Sequence, residues 1–397
     1  MVNKLIYDLN DQERNNRLAA LRELMRLHAD GVIAPPGSGD NVNNHIHTIY
    51  SFSPYSPAKA VYLSWVNGLA TAGIMDHDSV GGAAEFIEAG QIAGLPVTVG
   101  FECRCSLEGT AFDGKRLNNP DQKSVAYMAM HAIAPNMLGE AESFLAPYRE
   151  KRNIRNRGMT EKLNKMLEPY GMALDFDRDV LPLSQYALGG AVTERHILYA
   201  LAAALTGDEM RRYFLLGVFK SRLIESIYTD ATDELPHISE FIGLAERLGA
   251  IPAYAYLGDV GVSVTGDKKA QVFEDDFLDE LLVYLTMIGV RAVTYMPARN
   301  TEEQLIRIKA LCEANDLFQI SGEDINSPLQ GFICEKIETP GFRHLIDSAW
   351  ALIGHELAVS RGASEGIFSP VTRARIPKLC DRIEFFANLA KTYYKER

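Results

Sequence analysis

Cysteine is scarce in this chain, with five among 397 residues. So few, and an odd number, argue against a disulfide framework and for a reducing compartment. Long apolar runs are missing too: none approaches the ~20 residues needed to span a bilayer. The N-terminal stretch MVNKLIYDLNDQERNNR carries charges where a signal peptide would have its apolar core. These absences point to a cytoplasmic protein with no membrane partner. Positive charge is also in deficit, the net value being −12, which excludes broad electrostatic binding of nucleic acid. A small phosphorylated substrate stays compatible with that balance, because a metal and a few local arginines can hold one.

What is present is ordinary globular material, 47% hydrophobic and 23% charged. The length suits one large α/β domain with additions, or two domains. A polar helix is expected over 10–29, followed by a loop rich in Pro and Gly. From residue 41 short apolar stretches alternate with helical patterns. Strands are expected at 42–47, 73–75 and 95–101, and helices at 57–72 and 82–93. This rhythm implies parallel strands joined by crossover helices. It breaks after His131, where 140–244 reads as helical, and resumes with strands at 251–256, 290–295 and 318–321. Two helical segments, 342–359 and 376–394, close the chain. The expected organisation is an N-terminal helical extension over 1–40, a barrel-like α/β domain over 41–135 and 246–330, a helical insertion over 136–245 and a C-terminal helical extension over 331–397.

In such a barrel, functional groups gather where strands turn into loops at their C-terminal ends. Those ends carry His45 and His47, then Asp76, His77 and Asp78, then Glu102, His131, Tyr256, and finally Glu323, Asp324 and Asn326. Four of the nine histidines fall there. His-x-His on a strand puts both rings on one face. Imidazoles with carboxylates are the ligand set of Zn, Mn or Fe. A divalent metal site is the reading these residues support. Cys103-x-Cys105 has no second cysteine pair at zinc-site spacing and reads as two thiols near a strand end.

These residues resemble the PHP (polymerase and histidinol phosphatase) superfamily of metal-dependent phosphoesterases, over most of 41–330. The segment His45-Ile-His47-Thr is similar to its first motif, Met75-Asp76-His77-Asp78 to the second and Gly100-Phe101-Glu102 to the third. His131 with Ala-Ile-Ala fits the next metal histidine. In the insertion, Arg195-His196 resembles a segment of the branch that hydrolyses nucleoside bisphosphates and short oligonucleotides, with Glu194 in place of its proline. The resemblance implies a distorted (β/α)7 barrel and up to three metal positions. For the first, His45, His47, Glu102 and Asp324 are all present. For the second, Glu102 and His131 remain but Tyr256 replaces a histidine. For the third only His77 survives, Phe52 and Asn326 standing at the other two places. One ion is expected to be firm, a second weak or substrate-dependent, and a third absent.

The other groups are expected to serve the substrate. His77 is the candidate general acid or substrate contact. Of Asp76 and Asp78, one is expected to orient an imidazole and the other to cap the helix beginning near Ser79. Arg149, Arg152 and Arg155 share a helix face and could hold a phosphate, as could Arg195 and His196. Tyr256 and Asn326 would line the site. The function expected is that of a metal-dependent hydrolase, a phosphoesterase on a small phosphorylated metabolite or nucleotide using metal-activated water. Its rivals are a hydrolase of non-phosphate bonds and a weakened homologue that only binds metal. Oligomeric state is left open.

Overall fold

Seven strands pair in the order of the chain: β1 (Val42–Ile46), β2 (Thr71–His77), β3 (Val97–Ser106), β4 (Val125–His131), β5 (Ile251–Ala255), β6 (Ala292–Tyr295) and β7 (Phe318–Ser321). The computed structural model describes residues 1–37, 39–119, 121–259 and 273–396. Neighbouring strands are parallel except at β4, which runs antiparallel to both β3 and β5. That reversal corrects the expectation of parallel strands throughout. The residues of β3 and β4 are almost all buried, so no polar face records the strand direction. An antiparallel pair also needs no crossover helix.

The sheet is a nearly closed barrel. At the seam Ile46 and Ile325 bridge β1 to the segment beyond β7. His47 N donates to Ile325 O at 3.0 Å, and Ile325 N donates to His45 O at 3.1 Å. The Asn43 and Asn44 amides stitch the same seam, donating to the carbonyls of Glu323 (3.1 Å) and Ser321 (2.8 Å). Gly322 permits the approach, since a Cβ there would lie 2.6 Å from the Cβ of His45.

The helices are α1 (Val2–Asp8), α2 (Arg14–Ala29), α3 (Pro57–Val66), α4 (Ala83–Ala93), α5 (Leu138–Leu167), α6 (Glu194–Leu205), α7 (Glu209–Ile227), α8 (Ile238–Leu248), α9 (Leu278–Ile288), α10 (Glu302–Ala314), α11 (His344–Val359), α12 (Pro370–Arg375) and α13 (Leu379–Lys395). Because β4 is reversed, the chain leaves it at the floor of the barrel. The long α5 then climbs the outside, and by Arg152, ~20 Å along at 1.5 Å per residue, it reaches the mouth. There α6 and α7 pack with it around Phe52, Met159, Leu163, Ile197, Leu201 and Tyr213. Inside the barrel, Met75, Ala129, Ala253, Ala292, Phe318 and Ile320 meet Ala351 and Leu352 of α11, which closes the floor. Glu356 of α11 accepts from Val99 N at 2.8 Å and from the Thr98 hydroxyl. At the other end of the chain, α2 docks on α4 through the buried pair Arg17–Glu85 (Nε–Oε1 2.8 Å). Among the described residues no helix is long and apolar enough to cross a membrane.

Candidate metal centre

The pleat of β1 and its first loop residue turn His45 and His47 to one side of the barrel mouth. Glu102 stands opposite His77 in the register of β3 and β2. Asp324 arrives from across the seam, its carboxylate held by the Asn326 amide. The ligand-capable atoms of His45, His47 and Asp324 lie within 4.8 Å of one another, and so do those of His47, His77 and Glu102. His47 thus belongs to both groups.

The separations are those of a coordination shell. His47 Nε2 lies 3.2 Å from Asp324 Oδ1 and 3.4 Å from Glu102 Oε1, and His45 Nε2 is 3.5 Å from the same glutamate oxygen. Donors bound tetrahedrally at ~2.0–2.1 Å stand about 3.3 Å apart along each edge. His47 Nε2 is buried yet makes no hydrogen bond among the described residues. Behind it, the buried Asp76 carboxylate accepts from Thr48 N, the Thr48 hydroxyl and the Ser51 hydroxyl, each at 2.6 Å. Ser51 Oγ, its proton given to Asp76, is 3.4 Å from His47 Nδ1 and can only accept there. This relay orients the ring with Nδ1 toward Ser51, so that Nε2 is the atom it would offer a cation between the two carboxylates. A buried nitrogen without a partner, aimed between carboxylates, fits a cation of the Zn, Mn or Fe class.

The field of the site is consistent with that. Burial works against the charged form of Glu102, but the neighbouring imidazoles outweigh it and hold the carboxyl down at about 2. Asp324 is likewise held well below the carboxylate range, against burial, chiefly by His47 and His45. Burial opposes a charge on His45 as well, yet Glu102 and Asp324 raise it to about 8. His77 is pushed down to about 3 by burial, with Glu102 pulling the other way, and is a neutral imidazole at pH 7. It stacks on His47 at 4.7 Å between ring centroids, with Nδ1 3.0 Å from Glu102 Oε1. A neutral ring in that position suits a ligand or hydrogen-bond donor better than the general acid expected of it.

Several expected site residues lie deeper or have other work. His131 is on the inner face that Ala129 shares with Glu102, but two residues further along a reversed strand, hence one layer deeper. It stays outside both tight groups, buried, with Nε2 unpartnered among the described residues. Tyr256, placed by sequence at a ligand position, is buried and donates its hydroxyl to Asp275 at 2.6 Å. Burial and that carboxylate raise its pKa, so no phenolate is on offer. Asp78 does not cap a helix: it pairs with Arg152, and α4 starts later, behind Gly82. Arg155, expected to hold phosphate, is taken by Glu234 (2.7 Å), Glu194 and the Thr229 carbonyl. Arg149 pairs with Glu142. His196 receives Thr193 N at Nδ1 (2.9 Å) and packs edge-on against Phe52, so it holds the insertion together rather than facing a substrate. Phe52, in turn, is a cornerstone of the insertion's apolar core.

Arg195 differs from these. It is half-buried, acts electrostatically on His77 and Asp324, and makes no hydrogen bond or ion pair among the described residues. Sequence reasoning missed Thr48 and Ser51, because a hydroxyl in a loop carries no signal of its partner. It also missed Arg104, although period two on β3 puts it on the face of Glu102.

No family model matches the chain, and no curated protein matches it by sequence. Solved structures do. One is a candidate metal-dependent phosphoesterase from Bifidobacterium adolescentis, 21% identical, covering 79% of this chain and 98% of its own, with a TM-score of 0.54. Another is an amidohydrolase from Chromobacterium violaceum, solved with sulfate and no metal, 18% identical, covering 78% and 96%, with a TM-score of 0.56. At these identities the likeness establishes the fold: a mixed α/β barrel shared with proteins so described.

Proposed function

We propose that this chain is a metal-dependent hydrolase of PHP type, acting on a small phosphorylated substrate. The observation that carries the reading is His47 Nε2, buried, without a hydrogen-bond partner among the described residues, oriented through the Asp76–Ser51 relay and faced by Glu102 and Asp324. His45, His47, Glu102 and Asp324 would hold one ion, and His77 stands beside Glu102 for a second contact. A divalent ion held there supplies Lewis acidity and a bound water of pKa near ~7. The chain's own part is positioning. Arg195 offers the substrate's anionic group a guanidinium that makes no ion pair among the described residues. Phe52, His196 and the rest of the insertion core keep α6, and with it Arg195, over the mouth.

The test has two separate readouts. Metal analysis of protein purified without chelator should find close to one equivalent of Mn, Zn or Fe, falling toward none in His47→Ala and Asp324→Ala. A panel of phosphomonoesters, phosphodiesters and carboxamides with added Mn²⁺ should show turnover on phosphoesters that the same variants lose. Retained metal without turnover on any phosphoester would sink the phosphoesterase reading. Turnover confined to carboxamides would replace it with the amidohydrolase one.

A further inference from the structure

Beside the metal centre lies a second cluster that the proposed reaction does not use. Arg104 of β3, two residues beyond Glu102, donates to Glu234 Oε1 at 2.6 Å and stands 3.7 Å from Glu194. Arg152 of α5 pairs with Asp78, the neighbour of His77, and reaches the same Glu234 oxygen at 3.4 Å. Arg155 binds Glu234 and Glu194 together. The three guanidinium side chains are each only 5–6% exposed and Glu234 is 2% exposed. Three cations face three carboxylates, so the cluster carries no net charge. The acids come from elsewhere in the chain: Glu194 starts α6, next to Arg195, and Glu234 lies in the loop before α8.

Three converging arginines beside a metal centre are the donors a polyanion would want, and forked guanidinium groups match phosphate oxygens well. Here those donors are already taken. We propose that Glu194 and Glu234 are specificity-determining residues: their carboxylates occupy the second anion position of the site and restrict it to substrates with a single anionic group, held by Arg195. This rests on the hydrolase reading for the word substrate, but the occupancy of the position is a property of the cluster alone. An incoming second phosphate would have to displace a buried carboxylate from two or three arginines, leaving that carboxylate unpaired in the interior. Replacing one carboxylate by an amide leaves the cluster with an excess positive charge and a neutral group in that position, which an incoming anion can displace at lower cost.

The decisive variants are Glu194→Gln, whose side chain is partly exposed, and Glu234→Gln, which makes the same change deeper in the cluster. Thermal unfolding with inorganic sulfate and with pyrophosphate should raise the midpoint of either variant more than that of the wild type, as expected when an anion binds only the folded state. The preference, as a ratio of kcat/KM, between a phosphomonoester and the same compound bearing a second phosphate should shift about ten-fold toward the latter, which corresponds to roughly 1.4 kcal/mol. A merely structural pair would lower the midpoint in every salt and leave the ratio unmoved. That outcome, or a wild type that already prefers doubly phosphorylated compounds, overturns the proposal. If no phosphoester is turned over while the variants still gain anion-dependent stability, the phosphoesterase reading fails and the occupancy of the anion position by the two carboxylates stands. Should one variant not fold, the other decides alone, since each removes one charge from the same cluster.

Discussion

Two groups of polar side chains sit a few residues apart at the mouth of this barrel, and they differ in how far they are satisfied. The histidine group keeps a buried nitrogen without a partner and two carboxylates drawn together without a hydrogen bond between them and it. The arginine group has every guanidinium matched by a carboxylate of its own chain. Unsatisfied buried groups are costly, so the first arrangement is one that could hold an ion. The second is closed, although its residue types look more like a binding site on paper. Partnering, and not residue type, separates the two.

The comparison can be broken at several points. The largest effect should follow His47→Ala, with metal content falling toward zero and turnover dropping about a thousand-fold or more, since bound-ion catalysis supplies several kcal/mol. On the other side, Arg152→Ala strands Asp78 in the interior and should cost about 3–5 kcal/mol of folding stability in denaturant titration. If it instead costs little and abolishes substrate binding, the arginine cluster is a binding site and the contrast fails. Ser51→Ala removes the group that orients the ring of His47 and should weaken metal affinity about 10–100-fold, read by competition with a chelating dye, while the fold persists. A further test lies far from both groups, at Glu356. Burial raises its carboxyl to about 8, against the hydrogen bonds from Thr98 and Val99. A carboxyl raised in the folded state favours folding fully below its unfolded value near ~4.3 and loses that contribution as pH climbs toward 8. Glu356→Gln should therefore flatten the decline in stability between those two pH values. An unchanged pH profile would show that Glu356 is already ionised in the folded protein.

Much of this was legible in the amino-acid sequence, for reasons that can be named. His45 and His47 declare a shared face because strand side chains repeat every two residues, and Asp324 follows the end of β7; Glu102, expected to end its strand, lies inside β3, which runs on to Ser106. A barrel-like α/β domain follows from the alternation of apolar stretches and helices, and the count of seven strands from the family resemblance. The reversal of β4 does not, since a strand buried on both sides reads the same in either direction. With it went the depth of His131. The partners of the arginines were hidden by distance: Arg155 meets Glu194 and Glu234 across 39 and 79 positions. Nothing local distinguishes an arginine so engaged from one that is free, as Arg195 shows.

The seam between β1 and the end of β7 has a consequence for how the molecule is assembled. Its stitches join residues up to 280 positions apart, and contacts of such separation carry the entropic cost of closing the intervening chain. His45 and His47 lie on one lip of that seam and Asp324 on the other. The set of ligands therefore comes into being only when the two ends of the barrel chain have found each other. An ion bound there would act as a clasp across that joint, adding its binding free energy to the cohesion of the whole barrel.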